Sequence, residues 1–294
     1  MTIIISSPID IEKLSLFLEE MNKKTESHIG YCGEMNEEIA HTLLHEFSDV
    51  DITQSFVVAY ENEEIVGALG FDINEENKSA EVWGPFINNE SQYPGLADAL
   101  WGKVNTLSGI ELNEFSFFVN KENTFVQQFA SNKKAVNKGS HLLLKAFRND
   151  LGEVDLAQIK SYEHPYKDSF TSLHEATFTN TYYDASEILN RLSDHHQLLV
   201  MIDDNRKIKG YVYIEASPEH KEGTIEYIAV SAEYRKQGIG TKLIRAALSY
   251  LFSFKEIEEI SLIVAKVNNK AIHLYKAAGF TEVHELIYYQ KSLK

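Results

Sequence analysis

Apolar positions fall into short strand-like runs and longer helical stripes, and the same order of runs appears twice at an offset of about 145 residues. In the first half, Ser55–Tyr60 (SFVVAY), Glu64–Ile73 (EIVGALGFDI) and Ala80–Ile87 (AEVWGPFI) predict a meander of three strands, with turn residues between them. In the second half, Gln197–Ile202 (QLLVMI), Lys209–Ala216 (KGYVYIEA) and Gly223–Val230 (GTIEYIAV) repeat the pattern. A glycine opens the middle strand each time, Gly67 and then Gly210. Predicted helices follow at Gly95–Val104 and Thr241–Phe252, then strands at Glu114–Val119 and Glu259–Val267. Further helices at Asn123–Asn132 and Asn268–Ala278 precede closing strands at His141–Phe147 and Glu282–Gln290.

The order βββαβαβ, read twice, predicts an α/β protein of two tandem domains, each a mixed sheet with helices packed on it. The boundary is expected near Asn149–Gly152, dividing the chain into residues 1–150 and 151–294. A length of 294 residues suits two domains of ordinary size. No run approaches the roughly 18 apolar residues of a membrane helix, and the start MTIIISSPID lacks a basic region, so a cytoplasmic location is expected. The single cysteine, Cys32, can form neither an intramolecular disulfide nor a multi-cysteine metal site, and reads as buried or incidental.

Charge adds an asymmetry. The net −16 is divided as −13 over residues 1–150 (11 basic, 24 acidic) and −3 over residues 151–294 (17 basic, 20 acidic). Such a surface repels nucleic-acid phosphates and favours a cationic or neutral partner. Against this background Arg235, Lys236, Lys242 and Arg245 form the densest basic cluster. They lie in Tyr227–Leu243, YIAVSAEYRKQGIGTKL, where an apolar strand ends at Val230 and a glycine-punctuated loop enters an amphipathic helix. Gly238 and Gly240 let backbone approach a ligand, and the unpaired N–H groups and positive dipole end of the following helix attract an anion. A dinucleotide fingerprint requires glycine or alanine where this chain has Leu243, and the Gly-Lys-Ser/Thr of a Walker loop is missing.

The remaining RxxGxG pattern, Arg235, Gly238 and Gly240, resembles the signature (Arg/Gln)xxGx(Gly/Ala) of the GCN5-related N-acetyltransferase (GNAT) superfamily. Asn268–Phe280, NNKAIHLYKAAGF, resembles the family's downstream NxxAxxLYxxxGF segment in the right order. Helical spacing puts Asn268 and Tyr275 on one face. The resemblance implies two tandem GNAT-like domains, mostly antiparallel, of which residues 151–294 transfer an acetyl group from acetyl-coenzyme A to a primary amine. By that resemblance Arg235, Lys236, Gln237, Gly238, Ile239, Gly240 and Thr241 hold the pyrophosphate. Ile228, Ala229 and Val230 line the pantetheine arm, Asn268 meets it, and Tyr275 protonates the departing thiolate.

Glu226 is the candidate base, because period-two alternation puts it on the face of Ile228 and Val230, away from Tyr227 and Ala229. A solvated carboxylate with proton transfer through water is the alternative. His174, His195 and His196 read as loop or helix-surface residues, and no spacing supports a zinc site, so no metal is expected. Tyr162, Tyr166, Tyr182 and Tyr183 are candidates to line the acceptor site or simply to pack.

The first half departs from the family pattern. Residues 86–96, FINNESQYPGL, have no arginine, and Phe129 stands roughly where Tyr275 does, as Asn123 does for Asn268. A degenerate domain without its own acetyl-coenzyme A is the expectation. Two other functions stay open: an acyl-coenzyme A binding or regulatory module without turnover, and a transferase using a different acyl donor.

Overall fold

Each apolar run of the duplicated pattern becomes an element, and the regions that open the two halves add elements of their own. The computed structural model describes residues 3–179 and 181–293. The first half contains β1 (Ile4–Ser6), α1 (Ile11–Asn22), α2 (Asn36–His45), α3 (Ile52–Ser55), β2 (Phe56–Glu61), β3 (Glu64–Asn74) and β4 (Ser79–Ile87). These are followed by α4 (Leu96–Ser108), β5 (Glu114–Asn120), α5 (Thr124–Asn132) and β6 (Val136–Phe147). The second half contains β7 (Lys160–Ser161), α6 (Lys167–Thr177), α7 (Ala185–Arg191), β8 (His196–Ile202), β9 (Ile208–Ser217) and β10 (Glu222–Val230). Then come α8 (Ile239–Leu251), β11 (Glu259–Ala265), α9 (Asn269–Ala278) and β12 (Thr281–Ser292).

Local chemistry accounts for the helix entries. Asp10, Asn123, Asp184 and Asn268 each cap a helix by accepting a hydrogen bond from a backbone N–H three residues on. In α8 the buried positions Ile239, Leu243, Ile244, Ala247, Leu248 and Leu251 form one stripe at helical spacing.

Both faces of each sheet are covered. In the first unit α4 and α5 pack through Leu100, Val104 and Phe129 on Phe71, Phe115 and Phe117, and α1 and α2 pack through Leu14, Leu18 and Ile39 near Phe56, Val58 and Phe86. In the second unit α8 and α9 cover Val212 and Ile214, while α6 and α7 lie with Tyr211, Tyr213, Tyr227 and Ala229. Cys32 is buried within the α1–α2 side of the first core.

The compact units do not follow the boundary expected at 149–152. One unit is Met1–His141 together with His284–Lys294, and the other is Leu142–Val283. The reason is an exchange of closing strands. β12 ends the second repeat, yet its residues Leu286–Ser292 pair antiparallel with Asn120–Glu114 of β5. In the second unit the later residues of β6 lie beside β11, with Lys145 and Glu259 in an ion pair at 2.9 Å. Arg148, just after β6, donates to the carbonyls of Phe252, Phe254 and Ile257, anchoring that segment to the turn after α8. A cut near residue 150 therefore removes from each half the strand that completes its sheet.

Both tryptophans, Trp83 and Trp101, are buried in the first unit, so their fluorescence reports on that unit. Leu286 is fully buried. Leu286→Ala should cost about 2–5 kcal/mol and lower the unfolding midpoint seen by tryptophan fluorescence. An unchanged midpoint would contradict the placement of the C-terminal strand beside β5.

Candidate active site

Strand β10 and the helix after it set the geometry. On one edge β10 pairs antiparallel with β9, Ile228 opposite Val212, Ala229 opposite Tyr211 and Val230 opposite Gly210. The next strand in the chain, β11, belongs to a different ladder, so β10 ends its own four-stranded sheet, β10-β9-β8-β7. Among the described residues the backbone of Ile228–Val230 thus has one edge without a strand partner. Gly210 is required opposite it, because a Cβ there would lie 2.8 Å from the Ala229 carbonyl oxygen.

The chain then turns through Ala232–Tyr234, and Arg235 Nε donates back to the Val230 carbonyl at 3.0 Å. Lys236 (φ 62°) and Gly238 (φ 76°) take left-handed backbone, and Gly238 starts α8, whose first intrahelical bond runs from Lys242 N–H to the Gly238 carbonyl at 3.0 Å. Helix geometry leaves the N–H groups of residues 238–241 at this entry without intrahelical acceptors. Arg235, Lys236, Gln237 and Gly238 are exposed here. Lys242 and Arg245, on the next turns, are held by Gln158 (3.2 Å) and by the Glu153 carbonyl (3.0 Å). Positive side chains, a helix dipole and unpaired amides converge on one loop.

The two glycines have different tasks. Around Gly238 an added Cβ would meet open space, and its positive φ is what matters. A Cβ on Gly240 would come within 3.0 Å of Leu274 Cδ1, so Gly240 permits α8 to approach α9 and is a packing glycine.

On α9, Tyr275 is half-buried with Leu274, Ile228 and Val230 in the same apolar group, and its ring stands edge-on to Phe280 at 5.5 Å. Burial pushes its phenol above the usual range, so the group stays protonated at neutral pH. Asn268 uses Oδ1 to cap α9 through Ala271 N–H at 3.2 Å and is otherwise exposed. Asn123 does the same for α5. The matching asparagines are thus explained by capping in both halves.

Glu226 does not share the face of Ile228 and Val230. The β10–β9 register shifts between Ile225 and Tyr227, making Glu226 the extra residue of a bulge. Ile225 takes its expected place with Ile228 and Val230. Glu226 is exposed, and its charge is one of the influences that raise the Tyr183 hydroxyl, after burial, Glu215 and Tyr182 and against Arg191. Alternation cannot register a bulge, since one extra residue inverts the period.

His174 is not on the surface. It is buried under the sheet, its Nδ1 hydrogen-bonded with Tyr211 Oη at 2.6 Å and its Nε2 3.1 Å from the Tyr183 carbonyl oxygen. Phe170, His174 and Phe178 recur every four residues, the helical stripe that signals a core face. His195 is exposed and His196 half-buried. Tyr166 is buried core, Tyr162 and Tyr183 pack beside it, and Tyr182 is 85% exposed. Sequence reasoning also missed a cavity of about 570 Å³ behind the loop, lined by Asp168, Ser172, Leu173, Lys207, Ser231 and Arg235.

The segment that holds this strand edge and helix entry also matches known proteins. Residues 163–280 match the acetyltransferase (GNAT) family. The second half carries a GNAT domain. Among curated relatives, an N-alpha-acetyltransferase of Sulfurisphaera tokodaii is 42% identical over 69 residues, 24% of this chain and 41% of the relative. A spermidine N(1)-acetyltransferase of Escherichia coli K12 is 30% identical over 112 residues, 36% of this chain and 60% of the relative. The chain thus spans about half the length of these relatives.

The GNAT fold extends to the whole chain. A GCN5-related N-acetyltransferase from Sphaerobacter thermophilus superposes with TM-score 0.68 at 14% identity, covering 99% of this chain and 95% of that one. A tandem GNAT protein from the clavulanic acid biosynthesis pathway superposes with TM-score 0.60 at 15% identity, covering 99% and 98%. The first unit is GNAT-like in backbone even at the helix entry, since Gly95 begins α4 with φ 79° and ψ 0° against 76° and 1° for Gly238. Among the described residues no helix is long and apolar enough to cross a membrane.

Gly238→Ala should destabilise the GNAT domain by about 1–2 kcal/mol, the cost of a side chain in left-handed backbone. Gly240→Ala should cost less, about 1 kcal/mol or under, because the clash is with the flexible end of Leu274. Thermal denaturation followed by far-ultraviolet circular dichroism checks the order, and a reversed order would contradict these separate roles.

Proposed function

We propose that the second unit transfers an acetyl group from acetyl-coenzyme A to a primary amine, and that the first is a degenerate partner without an acetyl-coenzyme A of its own. The observation that carries this reading is the edge of β10 running, without a strand partner among the described residues, into the α8 entry, with the tyrosine of α9 packed on the same apolar core as Ile228 and Val230. In it, the amides from Gly238 to Thr241, with Arg235 and Lys236 beside them and Gln237 and Ile239 supplying backbone, hold the pyrophosphate. Ile228, Ala229 and Val230 offer the pantetheine arm a strand edge that has no strand partner, the Val230 carbonyl also accepting from Arg235, and the exposed amide of Asn268 meets the arm.

The acetyl carbonyl carbon is attacked by the neutral amine, and the C–S bond breaks as the new C–N bond is completed. A strand N–H stabilises the oxyanion, and Tyr275 gives its proton to the departing sulfur. A phenol suits this step because it is fully protonated until the sulfur develops charge. The amine's proton leaves through water, with Glu226 a candidate receiver from its exposed bulge. Acidic surroundings favour a cationic acceptor, and both a polyamine and a peptide amino terminus are primary amines of that kind.

The first unit supports degeneracy by its chemistry. Its β4 carries Pro85, which has no N–H to offer a ligand, and Pro94 removes another at the loop. The small cavity of about 180 Å³ at the α4 entry is lined by Glu90 and Asp98 as well as Phe129, and burial raises the Glu90 carboxyl above its ordinary value. Residues 86–96 hold no arginine or lysine, Glu90 lines the cavity and Asp98 is paired with Lys133 at 2.6 Å, so a pyrophosphate would find no counterpart of Arg235 and Lys236 here.

Isothermal titration of acetyl-coenzyme A should show one site per chain, abolished by Arg235→Ala with Gly238→Ala. Tyr275→Phe should lower kcat by on the order of 10²-fold with KM for acetyl-coenzyme A little changed. Because the Tyr275 phenol is raised, its protonated form persists as pH rises through 9, so wild-type turnover should show no loss from this group below about pH 10. Two sites would overturn the degenerate first unit. Binding without acetylation of polyamine or peptide amines would replace the enzyme by an acyl-coenzyme A binding module.

A further inference from the structure

The first unit brings together three side chains that the proposed acetyl transfer does not use. His28 and Glu34 lie on the loop between α1 and α2, and His284 on β12, 250 residues from Glu34. Glu34 Oε1 is 2.9 Å from His284 Nε2 and 3.5 Å from His28 Nε2. The three donor atoms all lie within 4.8 Å of one another. The two imidazole rings lie with centroids 3.9 Å apart, tilted by 31°, and the Nε2 atoms of both face the same carboxylate oxygen. We infer that His28, Glu34 and His284 form a binding site for a first-row divalent transition metal of the zinc type.

The distances suit such an ion. Zinc bonds of about 2.0–2.2 Å in a tetrahedron separate neighbouring donors by about 3.3–3.6 Å. The observed 3.5 Å falls within that range and the 2.9 Å lies below it, so small side-chain movements that widen the shorter contact admit the metal. Two imidazoles and one carboxylate are a donor set for zinc and its neighbours, whereas calcium and magnesium take oxygen. His28 is almost fully buried, while Glu34 and His284 are partly exposed, which leaves a fourth position open to water. The negative charge concentrated in residues 1–150 favours a cation.

The site is built on fixed backbone. Buried Asn22 accepts from Ile29 N–H at 2.8 Å and donates to the carbonyls of Ile29, Cys32 and Gly33, locking the loop between the two ligands. The His28 carbonyl accepts from Asn120 N–H and from the Asn123 amide, both at 3.2 Å, which ties the loop to β5. Gly30 lets the loop lie directly on Phe118 and Leu286, where a Cβ would come within 2.5 and 2.7 Å. The backbone that carries His28 and Glu34 therefore needs no ordering when the ion arrives.

Asn120 sets the proton balance. Its Oδ1 accepts Glu122 N–H at 3.0 Å, which turns its amide N–H toward His284 Nδ1, also at 3.0 Å. His284 then carries its proton on Nε2 and donates it to Glu34. A divalent ion takes the Nε2 lone pair, and the ring keeps its one proton on Nδ1, where Asn120 must present oxygen. A carboxylate at position 120 would accept both Nδ1–H and Glu122 N–H, the arrangement that strengthens metal-bound histidines.

The test uses the full chain and Zn²⁺ alone, after treatment with a chelator. Equilibrium dialysis at pH 7.5 should give one tightly held Zn²⁺ per chain, and Co²⁺ should develop the visible absorption of a nitrogen- and oxygen-ligated tetrahedral site. Glu34→Gln and His284→Gln, whose side chains are partly exposed, should each weaken Zn²⁺ binding at least tenfold. Asn120→Asp should tighten it severalfold. Circular dichroism of each metal-free variant shows whether it is folded, and Zn²⁺ should raise Tm for the wild-type chain but not for folded His284→Gln. No tight Zn²⁺, or uptake unchanged in folded Glu34→Gln and His284→Gln, would overturn the site.

Discussion

The structure depends on a backbone edge that its own sheet does not satisfy. β10 finds a partner in β9 on one side, and on the other the chain sends β11 into a different ladder. Unpaired peptide groups near a protein interior are costly unless something else pairs with them. The chain then leads straight from that edge into a helix whose first amides are also unpaired. On the proposed reading, an extended ligand bearing amides at one end and phosphates at the other would satisfy both sets at once. Gly210, Gly238 and Gly240 each serve this frame in a different way: close approach across the strands, left-handed backbone at the helix entry, and close approach of α9.

The first unit shows what happens when the frame is kept and its chemistry replaced. Gly95 starts α4 with almost the same backbone angles as Gly238, so the cradle's shape survives. Its electrostatics do not. Glu90 and Asp98 occupy the cavity, Pro85 and Pro94 withhold N–H groups, and Phe129 has no hydroxyl where Tyr275 has one. On the proposed reading, fold and function separate within one chain: the backbone angles at the helix entry are shared by both units, and a few side chains distinguish them.

The exchange of closing strands makes each unit a product of both halves of the sequence. β5 is completed by β12, and β11 by β6. The same exchange carries His284 to the loop that holds His28 and Glu34. Residues with no local relation become neighbours through strand register, and buried Asn22 makes the receiving loop rigid enough for the encounter to be specific.

Much of the molecule was legible in the sequence because its information is local. Alternating apolar runs marked strands, the glycine pattern after Val230 marked a helix entry, and the segment from Asn268 to Phe280 marked the helix that carries Tyr275. Other features were decided by partners far along the chain. The bulge at Glu226 exists because β9 pairs as it does, and it moved the carboxylate off the face that simple alternation assigned. His174 looked like surface until α6 packed it against Tyr211. The division into units, and the cluster of two histidines and a glutamate, depended on where the last strand pairs. Periodicity and motif spacing record the conformation of a few neighbouring residues, whereas strand register is set by burial across the whole chain, and no short stretch of sequence contains it.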